Sequence, residues 1–284
     1  MTVPPPDGSR DRRIEDPSNL WLIHPASRAL VPLAIARGIS ANAVSGVGLC
    51  LGAGGALAYA QWHDWRFAVL GLLLSIGWLI ADGLDGMVAR ATGSASAFGR
   101  MLDGLVDHGV FAMIYVALAI SVGTPEGWAL AWIAGGAHAV QSSLYEGERA
   151  RFHRRVKGVA IAAPAVATGN ALVRFYDGFA NSIDRIAMPF ERMLGQAGEP
   201  VACGHRYGER ATAPLRLLAL LTANVRVAAI FVACFAGNPR IFWWFEIVPL
   251  TIVTAFGLVW HRRVERALVQ STPRLKPASR MHLS

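Results

Sequence analysis

Charge is what this chain has least of. Asp, Glu, Lys and Arg make up only 16% of its 284 residues, where a soluble domain carries about 25%. With 54% hydrophobic residues and a mean hydropathy of +0.38, that scarcity excludes an ordinary cytosolic domain and points to a bilayer. Cysteine is scarce as well. Cys50, Cys203 and Cys234 form no CxxC or other metal spacing, and two of them lie in apolar runs, so they are read as small core hydrophobes. The first twenty residues lack any apolar run. Their opening (PPPDGSRDRR) is Pro-rich and charged, so residues 1–19 are expected to be a flexible tail and not a signal peptide. No internal repeat is found, which argues against transporters built from paired repeats.

What the chain does have is length in its apolar runs. A spanning helix needs about 20 mostly apolar residues. Six segments meet that, at 41–61, 65–91, 98–122, 128–148, 215–236 and 241–260. The expected fold is therefore all-α: a polytopic membrane domain of six transmembrane helices over residues 41–260, with cytoplasmic amphipathic helices. Trp62, Trp65, Trp128, Trp243 and Trp244 cluster near the tight turns, as interfacial anchors do.

Orientation follows from the basic residues. Arg10, Arg12, Arg13, Arg28 and Arg37 precede the first span, the long loop at 149–214 is rich in Arg, and the tail at 261–284 adds six more Lys or Arg. The opposite face has only Arg66 and Arg240. Both termini are thus expected in the cytoplasm, and the net charge of +8 is matched to anionic membrane lipids, with no nucleic acid partner. Residues 20–40 mix Leu, Trp and Ile with Arg28 and Arg37 and read as an interfacial segment. Leu172, Phe175, Phe179, Ile183, Ile186, Phe190 and Met193 recur every three or four residues, which predicts an amphipathic helix inside the long loop.

Against this apolar background stand four aspartates, in DGLDGMVARATGSASAFGRMLDGLVD. Helical periodicity puts Asp82, Asp85, Gly86 and Ala89 on one face of the second span, and Asp103 and Asp107 on one face of the third. A turn of small residues at 92–97 joins them into a hairpin near the cytoplasmic surface. Carboxylates at membrane depth mark a functional site. Four that can converge would suit a hard divalent cation, which leaves coordination positions open for phosphate oxygens. Arg90 adds a fork for phosphate, and Gly86 and Ala89 leave room for a close approach. These residue types suggest phosphoryl transfer from a nucleotide-like diphosphate.

The spacing Asp82-x2-Asp85-Gly86-x2-Ala89-Arg90-x8-Gly99-x3-Asp103-x3-Asp107 resembles the signature of the CDP-alcohol phosphotransferase family at every fixed position. The resemblance implies a six-helix fold, a homodimer and a pair of Mg²⁺ or Mn²⁺ ions. It makes Asp82, Asp85 and Asp103 metal ligands, and Asp107 both a metal contact and the general base. Gly86, Ala89, Arg90, Gly99 and Ser96 would then face the CDP moiety. Asn42 and Ser45 resemble the family's Pro-Asn-x-x-Thr segment, with Ala41 in place of its proline and Ser45 in place of its threonine. The implied reaction is transfer of a phosphatidyl group from CDP-diacylglycerol to an alcohol, releasing CMP, in phospholipid synthesis with the site at the cytoplasmic face. A donor such as CDP-choline acting on diacylglycerol fits the same motif. From other classes, a transporter and a non-catalytic scaffold remain as rivals.

Three weaker signals stay open. Arg226 and Glu246, inside the fifth and sixth spans, form either a structural ion pair or a ligand for a polar acceptor. His138, Gln141, Ser142 and Tyr145 on the fourth span either shape an acceptor pocket, together with Arg226, or bond helix to helix. Arg149, Arg151, Arg154, Arg155 and Lys157 reflect either the positive-inside rule or a phosphorylated acceptor.

Overall fold

The computed structural model describes residues 11–94, 97–161 and 187–271, and for residues 97–105 the backbone alone. Among the described residues the chain is all helical, without strands. A π-helical stretch, Asn19–Ile23, runs into α1 (His24–Ala36). Then follow α2 (Ala41–Tyr59), α3 (Trp65–Ala91), α4 (Ala97–Val122) and α5 (Pro125–Val156). After α6 (187–195) come α7 (Pro200–Leu218), a 3-10 turn (Ala219–Leu221), α8 (Ala223–Phe235), α9 (Arg240–Ile247) and α10 (Pro249–Ser271).

Local chemistry sets these boundaries. The Ser40 hydroxyl accepts from the Ala43 N–H at 3.2 Å and starts α2; the Asp64 carboxylate accepts from the Arg66 N–H at 2.9 Å and starts α3. Pro125 opens α5, where its missing N–H costs nothing. Gly93 ends α3 with φ of 66°, a left-handed conformation that glycine adopts without strain.

The helices form two compact units. One comprises Arg10–Tyr145 and Leu218–Ala255; the described part of the other comprises 146–161, 187–217 and 256–271. In the first, α2 lies on α3 and α4 through a glycine face. A Cβ on Gly48 would stand 3.3 Å from Ala81, and one on Gly52 would stand 2.4 Å from Val110. Small residues let membrane helices approach this closely. Gly52→Ala is therefore expected to lower stability in detergent by about 1–3 kcal/mol through overpacking. Gly46→Ala, on the same helix with open space around it, should not; thermal unfolding of the two variants checks this.

One stretch differs from expectation. Residues 11–18 are packed, not a free tail: Ile14 and Asp16 are buried, Asp16 accepts from Thr222 Oγ1 at 3.0 Å, and Asn224 donates to Ser18 at 2.6 Å. Polar side chains read as solvated are used to hold the start of α8. Residues 1–10 and 272–284 lie outside the described residues, as does the predicted loop helix over 172–193 up to residue 186; its end falls in α6, where Phe190 is buried. Asn19–Ala36 is helical and settles on α3, where the Ser27 hydroxyl lies 2.8 Å from the Ile80 carbonyl. Trp21, Leu22, Leu30, Leu33 and Ile35 remain exposed.

Among the described residues, three helical stretches are long and apolar enough to cross a membrane: Ala41–Tyr59, Trp65–Ala91 and Arg240–Ser271. The bent pair Pro200–Leu221 and Ala223–Phe235 makes up to four. Exposed Val47, Leu57, Leu73 and Ile252 on these helices suit contact with lipid, consistent with an integral membrane protein. The expectation was six, and each departure has a reason. In α4 the residues described with side chains form a shorter apolar helix, Val106–Val122. In α5, His138, Gln141, Ser142 and Ser143 dilute the apolar run. The fifth segment is not one helix; it bends by 43° where the 3-10 turn meets α8. At 13 residues α8 spans about 20 Å, short of a hydrocarbon core of about 30 Å.

Candidate active site

The last turns of α3 carry Asp82, Asp85, Gly86, Ala89 and Arg90. Asp85 is buried, Asp82, Gly86 and Ala89 are half-buried, and Arg90 is exposed. A Cβ on Gly86 would lie 3.3 Å from Arg90 Nη1, so the absent side chain lets the guanidinium fold back along the helix. The first turns of α2 stand beside this face, with Asn42 exposed and Ser45 buried. The Ser45 hydroxyl donates to Asp85 Oδ2, joining α2 to α3.

One contact fixes how α3 meets α4. The rings of Trp78 and Phe111 pack edge to face with centroids 5.4 Å apart. The two residues lie about equally far along the chain from the intervening turn, so the helices form an antiparallel hairpin. Asp82 is one turn beyond Trp78, and Asp107 is one turn before Phe111, both toward that turn. Asp82 and Asp107, each half-buried, thus both lie on the turn side of that contact. Gly99 and Asp103 lie in the first two turns of α4, Asp103 one turn from Asp107. The side chain of Asp103 and the whole of Ser96 lie outside the described residues.

These carboxylates fit a hard divalent cation. The donors are all oxygen, the preference of Mg²⁺ and its relatives, with no imidazole or thiolate in the motif. Asp85 is only 6% exposed and sits where Val44, Ala81, Leu84 and Val88 form an apolar cluster. A carboxylate in such surroundings is kept by polar partners, the Ser45 hydroxyl among them.

The residues considered for an acceptor pocket come together differently. Arg226 Nε donates to Glu246 Oε1 at 2.9 Å and Nη2 to Gln141 Oε1 at 3.0 Å, while Nη1 donates to the Leu221 carbonyl. Gln141 Nε2 donates in turn to the Glu246 carbonyl at 3.1 Å and to Thr251 Oγ1 at 3.1 Å. His138 Nδ1 lies 3.4 Å from the Tyr115 hydroxyl and 3.8 Å from Glu246 Oε1, with its ring against Phe111. Tyr145 is buried one turn further along α5. Leu221 ends the 3-10 turn, and Glu246 stands just before Pro249, which has no N–H to continue α9. Arg226 and Gln141 thus satisfy carbonyls at two helix breaks, a need that irregular backbone creates inside a membrane protein. The ion pair left open by sequence forms; Tyr115, Thr251 and the two carbonyls were not foreseen. The Thr222 cap and Pro249 were the signals available for those breaks.

The basic run after α5's midpoint is likewise committed. Arg154 and Arg155 pair with Glu191 at 2.6 and 2.8 Å, Arg151 pairs with Glu148 at 2.7 Å, and Arg149 pairs with Glu146 at 3.0 Å. Burial pushes the Glu191 carboxyl up, but Arg155, the Ile161 N–H and Arg154 together hold it below its ordinary value. Glu148, His261 and Glu265, all buried, offer ligand atoms within 4.8 Å of one another. This trio does not suit a metal. His261 is bonded by Glu148 at 2.6 Å and Tyr207 at 2.8 Å, and Arg262 binds Glu148 and Glu265 while Arg155 binds Glu265. A cation would enter among guanidinium groups that already neutralise its ligands.

Residues 39–178 match the family model described as CDP-alcohol phosphatidyltransferase. That family consists of transferases of substituted phosphate groups that use CDP-linked substrates in membranes and generally depend on a divalent metal. No curated protein and no solved structure matches the chain.

Proposed function

We propose, from the premise that residues 39–178 carry a CDP-alcohol phosphatidyltransferase domain, that this protein transfers a phosphatidyl group from CDP-diacylglycerol to an alcohol and releases CMP. The observation that supports the reading is the Trp78–Phe111 contact between α3 and α4: Asp82 and Asp107 each lie one turn from it toward the intervening turn, and Asp85 is buried on α3.

Asp82, Asp85, Asp103 and Asp107 would hold two Mg²⁺ or Mn²⁺ ions, which when bound would neutralise the diphosphate and make CMP a better leaving group. Gly86, Ala89 and Gly99 leave space for the CDP moiety, and Arg90, Ser96 and Asn42 stand around it. Asp107 takes the proton of the alcohol as the alcohol oxygen attacks the β-phosphorus, and the bond from that phosphorus to the oxygen of CMP breaks. A site at the lipid boundary limits competition by water as the nucleophile. His138 and Tyr145 wall the acceptor side, with Gln141 and Arg226 acting through the helix breaks they hold.

The chain crosses the bilayer six times, through α2, α3, α4, α5, the α7–α8 bend and α9–α10. The basic bias puts both termini and the site at the cytoplasmic face, and the working form is a homodimer.

The donor is tested by following CMP from purified protein with Mg²⁺. CDP-diacylglycerol plus an alcohol should release CMP, and CDP-choline plus diacylglycerol should not. CMP from the second pair alone would transfer the assignment to an amino-alcohol phosphotransferase.

A further inference from the structure

We propose that Ser45 is a positioning residue for Asp85, fixing that carboxylate for a divalent cation, and is not a contact of the CDP moiety. The inference rests on the metal-dependent reading of the same site. Ser45 is 7% exposed and Asp85 6% exposed, so neither side chain opens broadly to an incoming nucleotide. A hydroxyl has one proton to give. Two acceptors are near it, the Ala41 carbonyl at 3.2 Å and the closer Asp85 Oδ2. The bond to a charged acceptor is about twice as strong as a neutral one, so the proton goes to Asp85.

The fold keeps that arrangement. Gly48, three residues after Ser45, lets α2 ride against Ala81 of α3, one turn before Asp85. At that separation a side chain as short as serine reaches across. Holding one carboxylate oxygen restricts rotation of the group and so fixes the direction it presents to a cation. Partners of this kind, which orient a metal ligand without touching the metal, change affinity by about 10–100-fold when lost. Asn42, exposed at the start of α2, is left as the polar contact of this segment for the donor.

The test titrates the full-length protein in detergent with Mn²⁺, reading bound metal by electron paramagnetic resonance. Ser45→Ala should raise the Mn²⁺ dissociation constant by about 10-fold, and Ser45→Cys, with a weak donor of similar size, should raise it likewise. Ser45→Thr, which keeps the hydroxyl, should bind as the parent does. The KM for CDP-diacylglycerol, measured at saturating Mn²⁺, should stay unchanged in Ser45→Ala. Unchanged Mn²⁺ affinity in Ser45→Ala and Ser45→Cys, or a raised KM with metal affinity intact, would overturn the assignment. Asp85→Asn separates this failure from that of the underlying reading. If Asp85→Asn also binds Mn²⁺ normally, Asp85 is not a metal ligand; if it loses Mn²⁺ while both serine variants keep it, only the positioning role is lost.

Discussion

Asp107→Asn should reduce CMP release by about 10³-fold while leaving the protein folded. The substitution keeps the shape of the side chain and removes its charge and basicity. Loss of a positioned general base alone costs about 10²–10⁴-fold, and loss of a metal oxygen adds to it. Asp107 is half-buried, so a neutral amide is tolerated where it stands. The defect should appear in kcat, with little change in the KM for the CDP-lipid, because the interaction is made in the transition state. Steady-state rates at saturating Mg²⁺, with gel filtration in detergent as the folding control, measure it. Near-normal turnover would remove Asp107 from the reaction.

Arg226→Ala should instead lose stability, by about 3–5 kcal/mol, the cost of breaking a buried ion pair from one side. Arg226 is 1% exposed and Glu246 fully buried, and the substitution strands the Glu246 charge together with the Leu221 carbonyl and Gln141 Oε1. Neutralising the survivor with Arg226→Met and Glu246→Gln together should recover part of the loss, since the stranded charge is then gone. Thermal unfolding in detergent distinguishes this from direct recognition of the acceptor. In that second case Arg226→Ala would melt with the parent, and only the KM for the alcohol would rise.

The carboxylate motif was legible because it is local. Helical periodicity alone places Asp82 with Asp85, and Asp103 with Asp107, on shared faces, and a turn of small residues closes the hairpin. Hydropathy also found α2 and α3 with their ends almost correct. It could not find the breaks before α8 and α10, because residues on both sides of each break are apolar. Thr222 at the N-cap position, though its hydroxyl goes to Asp16, and Pro249 as a breaker were the marks available. Without those breaks the Arg226–Glu246 pair could only stay open, since the carbonyls that Arg226 and Gln141 satisfy are exposed by the breaks themselves.

The basic run at 149–157 shows a different limit. Its partners Glu191 and Glu265 lie 36 and 110 residues from Arg155. Nothing local separates a solvated arginine from one that will be buried against a distant carboxylate. Residues 11–18 taught the same lesson from the other side: a polar segment at a chain end passes for a solvated tail unless its distant partners Thr222 and Asn224 are known.

The most direct test of the central claim is the stoichiometry of transfer. Purified protein, CDP-diacylglycerol and Mg²⁺ are incubated with a panel of alcohols while CMP and the new phospholipid are followed together. The account predicts that one class of alcohol yields CMP and phospholipid in equal amounts, and that both vanish on chelation of the metal. CMP formed at the same rate without any acceptor, or no CMP with any alcohol tried, would contradict it.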